Sequence, residues 1–383
     1  MTSAGGTDRQ PNLADREDGD EDFGLEGKGP KLRLNRRAVI GAFVFVAAAI
    51  AFLYVVLPQI GGLNQTWHRL DEGDGGWLAI AALLEVGSYT GYVVLLKAVV
   101  PSNKGRFTWT TAYLVTLAGV AATRLFAAAG AGGIALTFWG IRRTGVPRRE
   151  VAVRITAFMV CLYSVFMVTV VIAGIGLSTG IFNGPAPIGL TVVPAVLAGT
   201  VIIIFLLFAL VPGDSERRLK AWSHGRGEVA SVAGRLAVAP AAIAAGTRVA
   251  LQLLKKRHPG MLGAVAWWYF DIAVLWACIR AFNGDPAIVT VVMAYFVGQL
   301  GNLLPLPGGI GGVEGAMVGA LAAFGLDAGL ALVAVLSYRA FSFWLPTVPG
   351  AIAFVQLRRR ATGWAAEDAI DDEAPVSTGT LAT

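Results

Sequence analysis

The chain alternates between long apolar segments and short charged loops. Six of the apolar segments have about the 20 residues that a helix needs to cross the hydrocarbon core of a bilayer. We therefore predict transmembrane helices at 38–57, 77–100, 151–177, 190–211, 261–282 and 328–357. Because proline lacks an N–H donor and kinks a helix, Pro346 and Pro349 predict a kink in the last of them.

Two further apolar segments are too long for one ordinary span and too short for two. Segment 110–139 lies between basic loops that contain Arg106 and Arg142, whereas segment 287–325 lies between Asp285 and Asp327. Lys and Arg favour the cytoplasmic side of a membrane, so each segment should begin and end on the same side. We predict two re-entrant helical hairpins, the first opening toward the cytoplasm and the second toward the outside.

The second hairpin is interrupted by the sequence LPLPGGIGGVEG at 304–315. Its prolines and glycines break an α-helix, and Glu314 is an acid where hydrocarbon is expected. Irregular backbone at membrane depth is tolerated only where it is buried in protein or lines a water-filled cavity. This segment is therefore the candidate substrate site, the alternative being a plain loop between two helices.

The two hairpins resemble each other in sequence. YLVTLAG at 113–119 matches YFVGQLG at 295–301, and GAGGI at 130–134 matches GIGGV at 309–313. An R-x-x-x-F pattern follows each hairpin, at 154–158 and 339–343. With their opposite flanking charges, the hairpins predict an inverted repeat, in which transporters bind substrate near the membrane midplane between discontinuous helices.

Composition narrows the class of protein. With 55% hydrophobic residues, 15% charged residues and a mean hydropathy of +0.64, the chain is too apolar for a soluble domain. We predict an all-α polytopic membrane protein of about six full spans and two re-entrant hairpins. Basic loops on one membrane face explain the isoelectric point near 9.5, so no nucleic-acid partner is predicted. Cys161 and Cys278 lie in apolar segments, and neither a metal site nor a cofactor is expected.

The remaining segments are polar. Segments 1–37 and 358–383 are predicted to be disordered cytoplasmic tails, and the basic segment 212–260 is predicted to lie at the cytoplasmic interface. A further span within that segment is the less favoured alternative. In this topology nearly all Lys and Arg residues are cytoplasmic, as expected for a multi-pass protein of a bacterial inner membrane.

The sequence GNLLPLPGGIGGVEG at 301–315, followed by SYR at 337–339, carries a family resemblance. It resembles the signature of the flippase-like family defined by the transmembrane region of lysylphosphatidylglycerol synthases, the multiple peptide resistance factors. The resemblance implies a flippase-like domain at 38–357 that moves aminoacylated or other polar lipids between leaflets. The full synthases add a soluble aminoacyl-transfer domain. Only 23 residues follow Arg360 here, so that activity is not implied and no enzyme is expected.

A lipid headgroup that crosses the membrane needs partners for its charges. Arginine binds phosphate through two donors at once, so Arg124 and Arg339 are the predicted phosphate contacts. Glu314 is predicted to meet a headgroup amine, or to pair with Arg339 when no substrate is bound. The other predicted substrate-binding residues are polar side chains or loop positions whose N–H groups can face anionic oxygens: Gln299, Asn302, Pro307, Gly308, Gly309, Gly311 and Gly312.

Structural roles are the alternatives at these positions. Arg124 could snorkel to the interface, Glu314 and Arg339 could form a structural ion pair, and Gln299 with Asn302 could join helices by hydrogen bonds. Two intramembrane acids are expected at helix packing contacts or near an interface rather than in a relay, and one aromatic run is expected in an interfacial belt. They are Glu85 and Asp271, and Trp267, Trp268 and Tyr269.

The predicted function is the movement of a polar or aminoacylated lipid between leaflets. No phosphate-binding loop for ATP is visible, so movement should be downhill or coupled to an ion gradient. The predicted partners are membrane lipids with a phospholipid headgroup. Two alternatives are a secondary transporter of a small polar solute and a non-transporting membrane partner of a lipid- or glycan-modifying enzyme.

Overall fold

The structure of the chain is a computed structural model that describes residues 73–102, 105–125, 131–210, 238–304 and 309–373. All regular secondary structure within these ranges is helical, which confirms the predicted all-α class. The helices in chain order are α1 (Gly75–Val99), α2 (Trp109–Leu125), α3 (Ala131–Arg142), α4 (Arg148–Ser178), α5 (Ile188–Leu210), α6 (Val238–Lys255), α7 (Leu262–Ala281), α8 (Ile288–Gln299), α9 (Gly312–Ala323), α10 (Ala328–Arg339) and α11 (Leu345–Glu373).

Five helical segments in the described ranges are long and apolar enough to cross a membrane. They are α1, α4, α5, α7 with its preceding turn, and the helical run from Ala328 that joins α10 to α11. Each corresponds to a predicted span. The predicted first span, 38–57, and the predicted tail 1–37 lie outside the described residues.

The order of the elements repeats. A long helix, two short helices and a second long helical segment occur as α1 to α4, and again from α7 to the run that joins α10 to α11. The leading helices α1 and α7 pack along each other, with Gly91 against Gly263. A Cβ on Gly263 would lie 2.4 Å from the Gly91 carbonyl oxygen, so only glycine permits this approach.

The short helices occupy the two predicted hairpin segments and open at opposite ends of the bundle. Near the end of α1, Lys97 donates to the Phe107 carbonyl oxygen (2.7 Å), so α2 begins at this end. At the start of α1, the Asp74 N–H donates to the Ala281 carbonyl oxygen at the end of α7 (2.9 Å). Gly284, which leads into α8, packs there against Leu330 of α10. The second pair therefore begins and ends where α1 begins.

Each pair of short helices is closed by a contact between two glycines. A Cβ on Gly133 would lie 2.6 Å from the Gly119 carbonyl oxygen, and a Cβ on Gly301 would lie 2.4 Å from the Gly312 carbonyl oxygen. These four glycines occupy matched positions in the two internal sequence matches. The internal repeat thus preserves a backbone contact, while entry of the pairs into the membrane stays a prediction.

The R-x-x-x-F match does not produce equivalent side chains. Arg154 lies in the second turn of α4, where it pairs with Glu150 (3.1 Å) and its side chain is 30% exposed. Arg339 ends α10 deep inside the helical run and is buried. The two arginines differ because one lies near a helix start and the other lies in mid-bundle.

The prediction of an interfacial aromatic belt is wrong for Trp268 and stays a prediction for Trp267 and Tyr269. Trp268 is buried, and its indole N–H donates to the Leu162 carbonyl oxygen (2.7 Å). Trp267 packs edge-to-face against Tyr89 and Tyr92. Because a carbonyl oxygen of α4 accepts its N–H, the indole of Trp268 has a hydrogen-bond partner inside the protein and does not require one at the membrane interface.

The prediction of a disordered tail from residue 358 is wrong as far as Glu373, because α11 continues to that residue. The helix extends from an existing span without a new nucleation step, through a segment rich in Arg, Ala and Glu. Arg106 holds this extension by ion pairs with Asp368 (2.8 Å) and Glu367 (3.1 Å). The hydrogen bond to Asp368 raises the pKa of the Arg106 guanidinium. Residues 374–383 lie outside the described ranges.

Helix α6 covers the described part of the predicted interfacial segment. It packs against α4 and α5, with Gly246 close to Thr156, and it is not among the helices suited to cross a membrane. Its position at the cytoplasmic interface stays a prediction, and residues 212–237 lie outside the described ranges.

The glycine contact of the second pair predicts a stability effect. Gly301→Ala should destabilise the protein by about 1–3 kcal/mol, because the added methyl meets the Gly312 backbone, which cannot move aside cheaply. Denaturation by SDS titration measures this change. Gly319→Ala is the control, since a Cβ there meets nothing within 4 Å. Equal effects of the two changes would contradict the contact.

The Arg106 ion pairs predict a local effect. Arg106→Gln should speed amide hydrogen exchange in 361–373 by up to about fivefold, since pairs with exposed acids contribute up to about 1 kcal/mol. Hydrogen exchange followed by mass spectrometry reports this region. Arg359→Gln, an exposed change on the same helix, should leave the exchange unaltered. Unchanged exchange in Arg106→Gln would show that the extension needs no clamp.

Candidate functional site

Buried charged side chains converge in the middle of the bundle. Within the described ranges, the charged residues classed as buried are Glu85, Asp271, Glu314 and Arg339, contributed by α1, α7, α9 and α10. Arg124, at the end of α2, reaches the same region. In an apolar environment each of these charges needs a partner, so their contacts define the site.

Glu314 and Arg339 form a buried ion pair. The Arg339 Nε–H donates to Glu314 Oε1 (2.6 Å), and the two side chains are 8% and 1% exposed. Glu314 also accepts from the Gly311 N–H through Oε2 (2.7 Å). The carboxylate therefore joins α9 to α10 and caps the start of its own helix.

The glycine-rich loop gives Glu314 this position. Gly309 and Gly311 have φ values of +66° and +84°, in the left-handed region that favours glycine. The turn they form precedes α9 directly, so Glu314 falls in its first turn. The loop glycines thus have a structural role, because their positive φ values place Glu314 in the first turn of α9.

Arg124 points into the bundle and contacts the kinked last helix. Its guanidinium donates to the carbonyl oxygens of Phe343 (2.7 Å) and Ser342, and to the hydroxyls of Tyr89 (2.6 Å) and Thr347 (3.3 Å). These partners lie on α1 and on the run from α10 to α11. The snorkelling alternative does not account for such contacts.

Proline frees one of the acceptors that Arg124 uses, the Ser342 carbonyl oxygen. Pro346 has no N–H to donate to the Ser342 carbonyl four residues earlier, so that oxygen loses its α-helical partner. The backbone from Ala340 to Trp344 forms a π-helical turn at this point. Such turns often occur at functional sites. A π-helical turn therefore lies where the sequence predicts a kink, and an arginine from another helix satisfies the freed carbonyl.

The Phe343 ring brings the two arginines together. The guanidinium carbon of Arg339 lies 4.2 Å from the ring centroid, and that of Arg124 lies 5.1 Å from it. Both distances allow cation–π attraction. Two of the predicted site residues are thus gathered around one aromatic side chain, although they lie 215 positions apart in the sequence.

The other predicted site residues divide between an exposed edge and the loop that adjoins Glu314. The Asn302 side-chain amide donates to Gln299 Oε1 (2.8 Å), and Asn302 is exposed beside Gly309. Gly311 and Gly312 lie at the start of α9, next to Glu314. Pro307 and Gly308 lie outside the described residues. The predicted set therefore divides into a buried charged centre and an exposed polar edge.

Sequence reasoning gave too little weight to the acids in the middle of α1 and α7. Asp271 accepts through Oδ2 from the hydroxyls of Tyr295 and Tyr338 (3.1 Å for the second). Glu85 lies one helical turn before Tyr89, the hydroxyl partner of Arg124. A signal was available, because Tyr295 begins the repeated YFVGQLG segment and Tyr338 belongs to the SYR sequence.

Residues 39–350 match the family model of the lysylphosphatidylglycerol synthase TM region. The chain belongs to this family. The matched range contains every charged residue of the buried centre. The family resemblance carried by the second hairpin is therefore confirmed, and the chain is a multi-pass membrane protein of this family.

Two relatives of this family member are UPF0104 membrane proteins of Methanothermobacter thermautotrophicus. One is 34% identical over 104 residues, which cover 27% of this chain and 30% of the relative. The other is 34% identical over 86 residues, which cover 22% of this chain and 26% of the relative. Each match thus spans less than a third of the relative's length.

The buried ion pair of this family member predicts strong coupling between its partners. Glu314→Gln should destabilise the protein by about 3–5 kcal/mol, because Arg339 then remains buried without its acid. Glu314→Gln combined with Arg339→Gln should cost less than the sum of the single changes. SDS titration of the four proteins gives the coupling free energy.

The pair between Arg280 and Asp285 is the control for this cycle, since the Asp285 side chain is 85% exposed. Arg280→Gln should cost about 1 kcal/mol or less. A Glu314→Gln variant as stable as Arg280→Gln would mean that the buried pair does not hold α9 to α10.

Proposed function

We propose that this protein moves a phospholipid with a polar or aminoacylated headgroup between the leaflets of a bacterial cell membrane. The observation that carries the proposal is the buried charged centre around Phe343, where two arginines and Glu314 meet beside an interrupted hairpin. Membership of the family adds support, because its namesake is the membrane region of a lipid-modifying synthase.

The charges of a headgroup can replace the charges of the resting pair. Arg339 and Glu314 neutralise each other in the absence of lipid. A headgroup with a phosphate and an ammonium can separate them, the phosphate binding Arg339 and the ammonium binding Glu314. Because every buried charge keeps a partner during this exchange, its desolvation cost is limited. Arg124 adds a second donor fork at the same Phe343 ring.

The edge of the second hairpin supports a lipid over a small solute. Leu303 and Leu304, at the interruption, are 76% and 48% exposed. These outward-facing apolar side chains lie beside the polar pair Gln299 and Asn302. The acyl chains of a lipid can contact the apolar surface while its headgroup contacts the adjacent polar one. A lipid would contact both surfaces, whereas a small polar solute would contact the polar surface alone.

The proposed membrane placement follows from the two ends of the bundle. The end with Arg106, Arg142 and the Arg358–Arg360 run is assigned to the cytoplasm by the positive-inside rule, with both termini on that side. The two pairs of short helices then dip into the membrane from opposite faces as an inverted repeat. Membrane lipids are the proposed partners, and no catalytic step is assigned to the protein.

Lipid exchange in proteoliposomes tests the proposal. Vesicles containing fluorescent phosphatidylglycerol or fluorescent lysylphosphatidylglycerol are treated with dithionite, which quenches only the outer leaflet. Arg124→Gln and Arg339→Gln should each slow exchange about 10- to 100-fold, the value of one lost charge-assisted hydrogen bond of about 1.5–3 kcal/mol. Glu314→Gln should slow the lysyl lipid more than the unmodified one.

Arg280→Gln is the matched control, because it removes an arginine outside the buried centre. Exchange by wild type and all variants at one rate would remove the site assignment. Absence of exchange by the wild type with either lipid would overturn lipid translocation and favour the partner of a lipid- or glycan-modifying enzyme.

A further inference from the structure

Two buried acids lie beside the proposed headgroup site, and neither is assigned a contact with the headgroup. Glu85 occupies the middle of α1 and Asp271 the middle of α7, the two helices that pack most closely at Gly91 and Gly263. The two acids are 4% and 7% exposed. Neither forms an ion pair within 4 Å in the described part of the chain, unlike Glu314.

Each acid has an oxygen without a hydrogen-bond partner among the described residues. Asp271 Oδ2 accepts from two tyrosine hydroxyls, but Asp271 Oδ1 and Glu85 Oε2 are buried and accept from no donor within the described ranges. A buried carboxylate oxygen in this state loses its hydration without compensation. The two unpartnered oxygens belong to acids that interact with each other electrostatically. The two acids therefore lack a hydrogen-bond donor, which a proton on one of the carboxyl groups would supply.

The charges lead to the same conclusion. Three buried acids, Glu85, Asp271 and Glu314, face two arginines, Arg124 and Arg339. One proton on the Glu85 and Asp271 pair balances this count. The other titratable groups that act on the pair are neutral at physiological pH and leave the balance unchanged: Tyr89, Cys278, Tyr295 and Tyr338.

We infer that Glu85 and Asp271 hold one exchangeable proton between them and that this proton moves together with the headgroup phosphate. The proton comes from water and forms an O–H bond on one carboxyl group, which then donates to the free oxygen of the other. On release the proton returns to water, so no bond other than O–H changes. The coupling to phosphate rests on the proposed function.

Arg124 links the proton to the lipid. It is the cation that acts on both Glu85 and Asp271, and it donates both to the Tyr89 hydroxyl, one turn from Glu85, and to the Phe343 carbonyl oxygen. When a phosphate occupies this guanidinium, its charge no longer offsets the acids, so they retain their proton. When the phosphate leaves, the guanidinium again favours the ionised acid and the proton is released. Phosphate and proton therefore travel in the same direction.

Infrared spectroscopy of the purified full chain tests the proton without any transport. The C=O stretch of a protonated carboxyl group, which a carboxylate lacks, should be present at pH 7 and should shift in heavy water. Glu85→Gln and Asp271→Asn should each abolish the band, because two acids then face two arginines. Asp285→Asn, which changes an exposed acid, should leave it intact.

A wild-type spectrum without this band at pH 7, or a band that survives in both variants, would overturn the inference. Since two variants address the same proton, failure of one to fold leaves the other as the test. The infrared result does not depend on lipid exchange, so it stands even where the proposed function fails.

A pH gradient tests the coupling. In vesicles with fluorescent phosphatidylglycerol, a difference of one pH unit should bias the wild-type distribution toward the alkaline side by up to about tenfold, the value of one proton per lipid. Glu85→Gln should abolish this bias, and Asp285→Asn should retain it. Exchange by the wild type without any bias would overturn the coupling, whereas absence of exchange would overturn the proposed function.

Discussion

The pairing of buried charge is the constraint on which the middle of this protein depends. An ionised side chain in an apolar bundle is costly unless donors, acceptors or an opposite charge meet it. Glu314 is met by Arg339 and by a backbone N–H, Arg124 by carbonyl oxygens and a tyrosine, and one Asp271 oxygen by two tyrosines. Each solution joins helices that are distant in the sequence, so the same contacts that satisfy the charges also fix the fold.

Irregular backbone makes these solutions available. A regular helix satisfies its own N–H and C=O groups and has none to offer a buried charge. Two irregular places in the described part of the chain act in this way, the glycine turn before α9 and the π-helical turn before Pro346. The first supplies an N–H to Glu314 and the second supplies carbonyl oxygens to Arg124. The glycine turn therefore provides a donor for the carboxylate, and the π-helical turn provides acceptors for the guanidinium.

The sequence predicted the parts of the structure that depend on composition and length. Apolar segments located the described spans, and flanking charges with segment length located the short helix pairs. Charged residues within apolar segments are conspicuous in the sequence, so Arg124, Glu314 and Arg339 could be predicted as site residues. What could not be predicted depends on helix rotation. The hydrogen bond from Tyr295 to Asp271 requires α7 and α8 to present particular faces to each other, and no local pattern specifies those faces.

Ambiguous composition explains the other misses. Tryptophan is favoured both at a membrane interface and in a core where its N–H is satisfied, so Trp268 was assigned to the wrong environment. The charged segment after residue 358 looked disordered by composition alone. Its helix instead continues from the preceding span, and Arg106 from a distant loop pairs with its acids. Contacts across the chain decided both cases.

The two halves of the repeat share a scaffold but divide the chemistry between them. Gly119 with Gly133 and Gly301 with Gly312 make equivalent contacts, yet the charged pair Glu314 and Arg339 belongs to the second half alone. The first half contributes Arg124, which binds the kinked helix of the second. A site assembled in this way lies between the halves, so any displacement of α2 against α11 changes the contacts of Phe343 and the environment of Asp271 together. In transporters built from inverted repeats, relative movement of the two repeats exposes a midplane site to each side in turn. The placement of Arg124 gives such a movement a direct electrostatic effect on the buried acids.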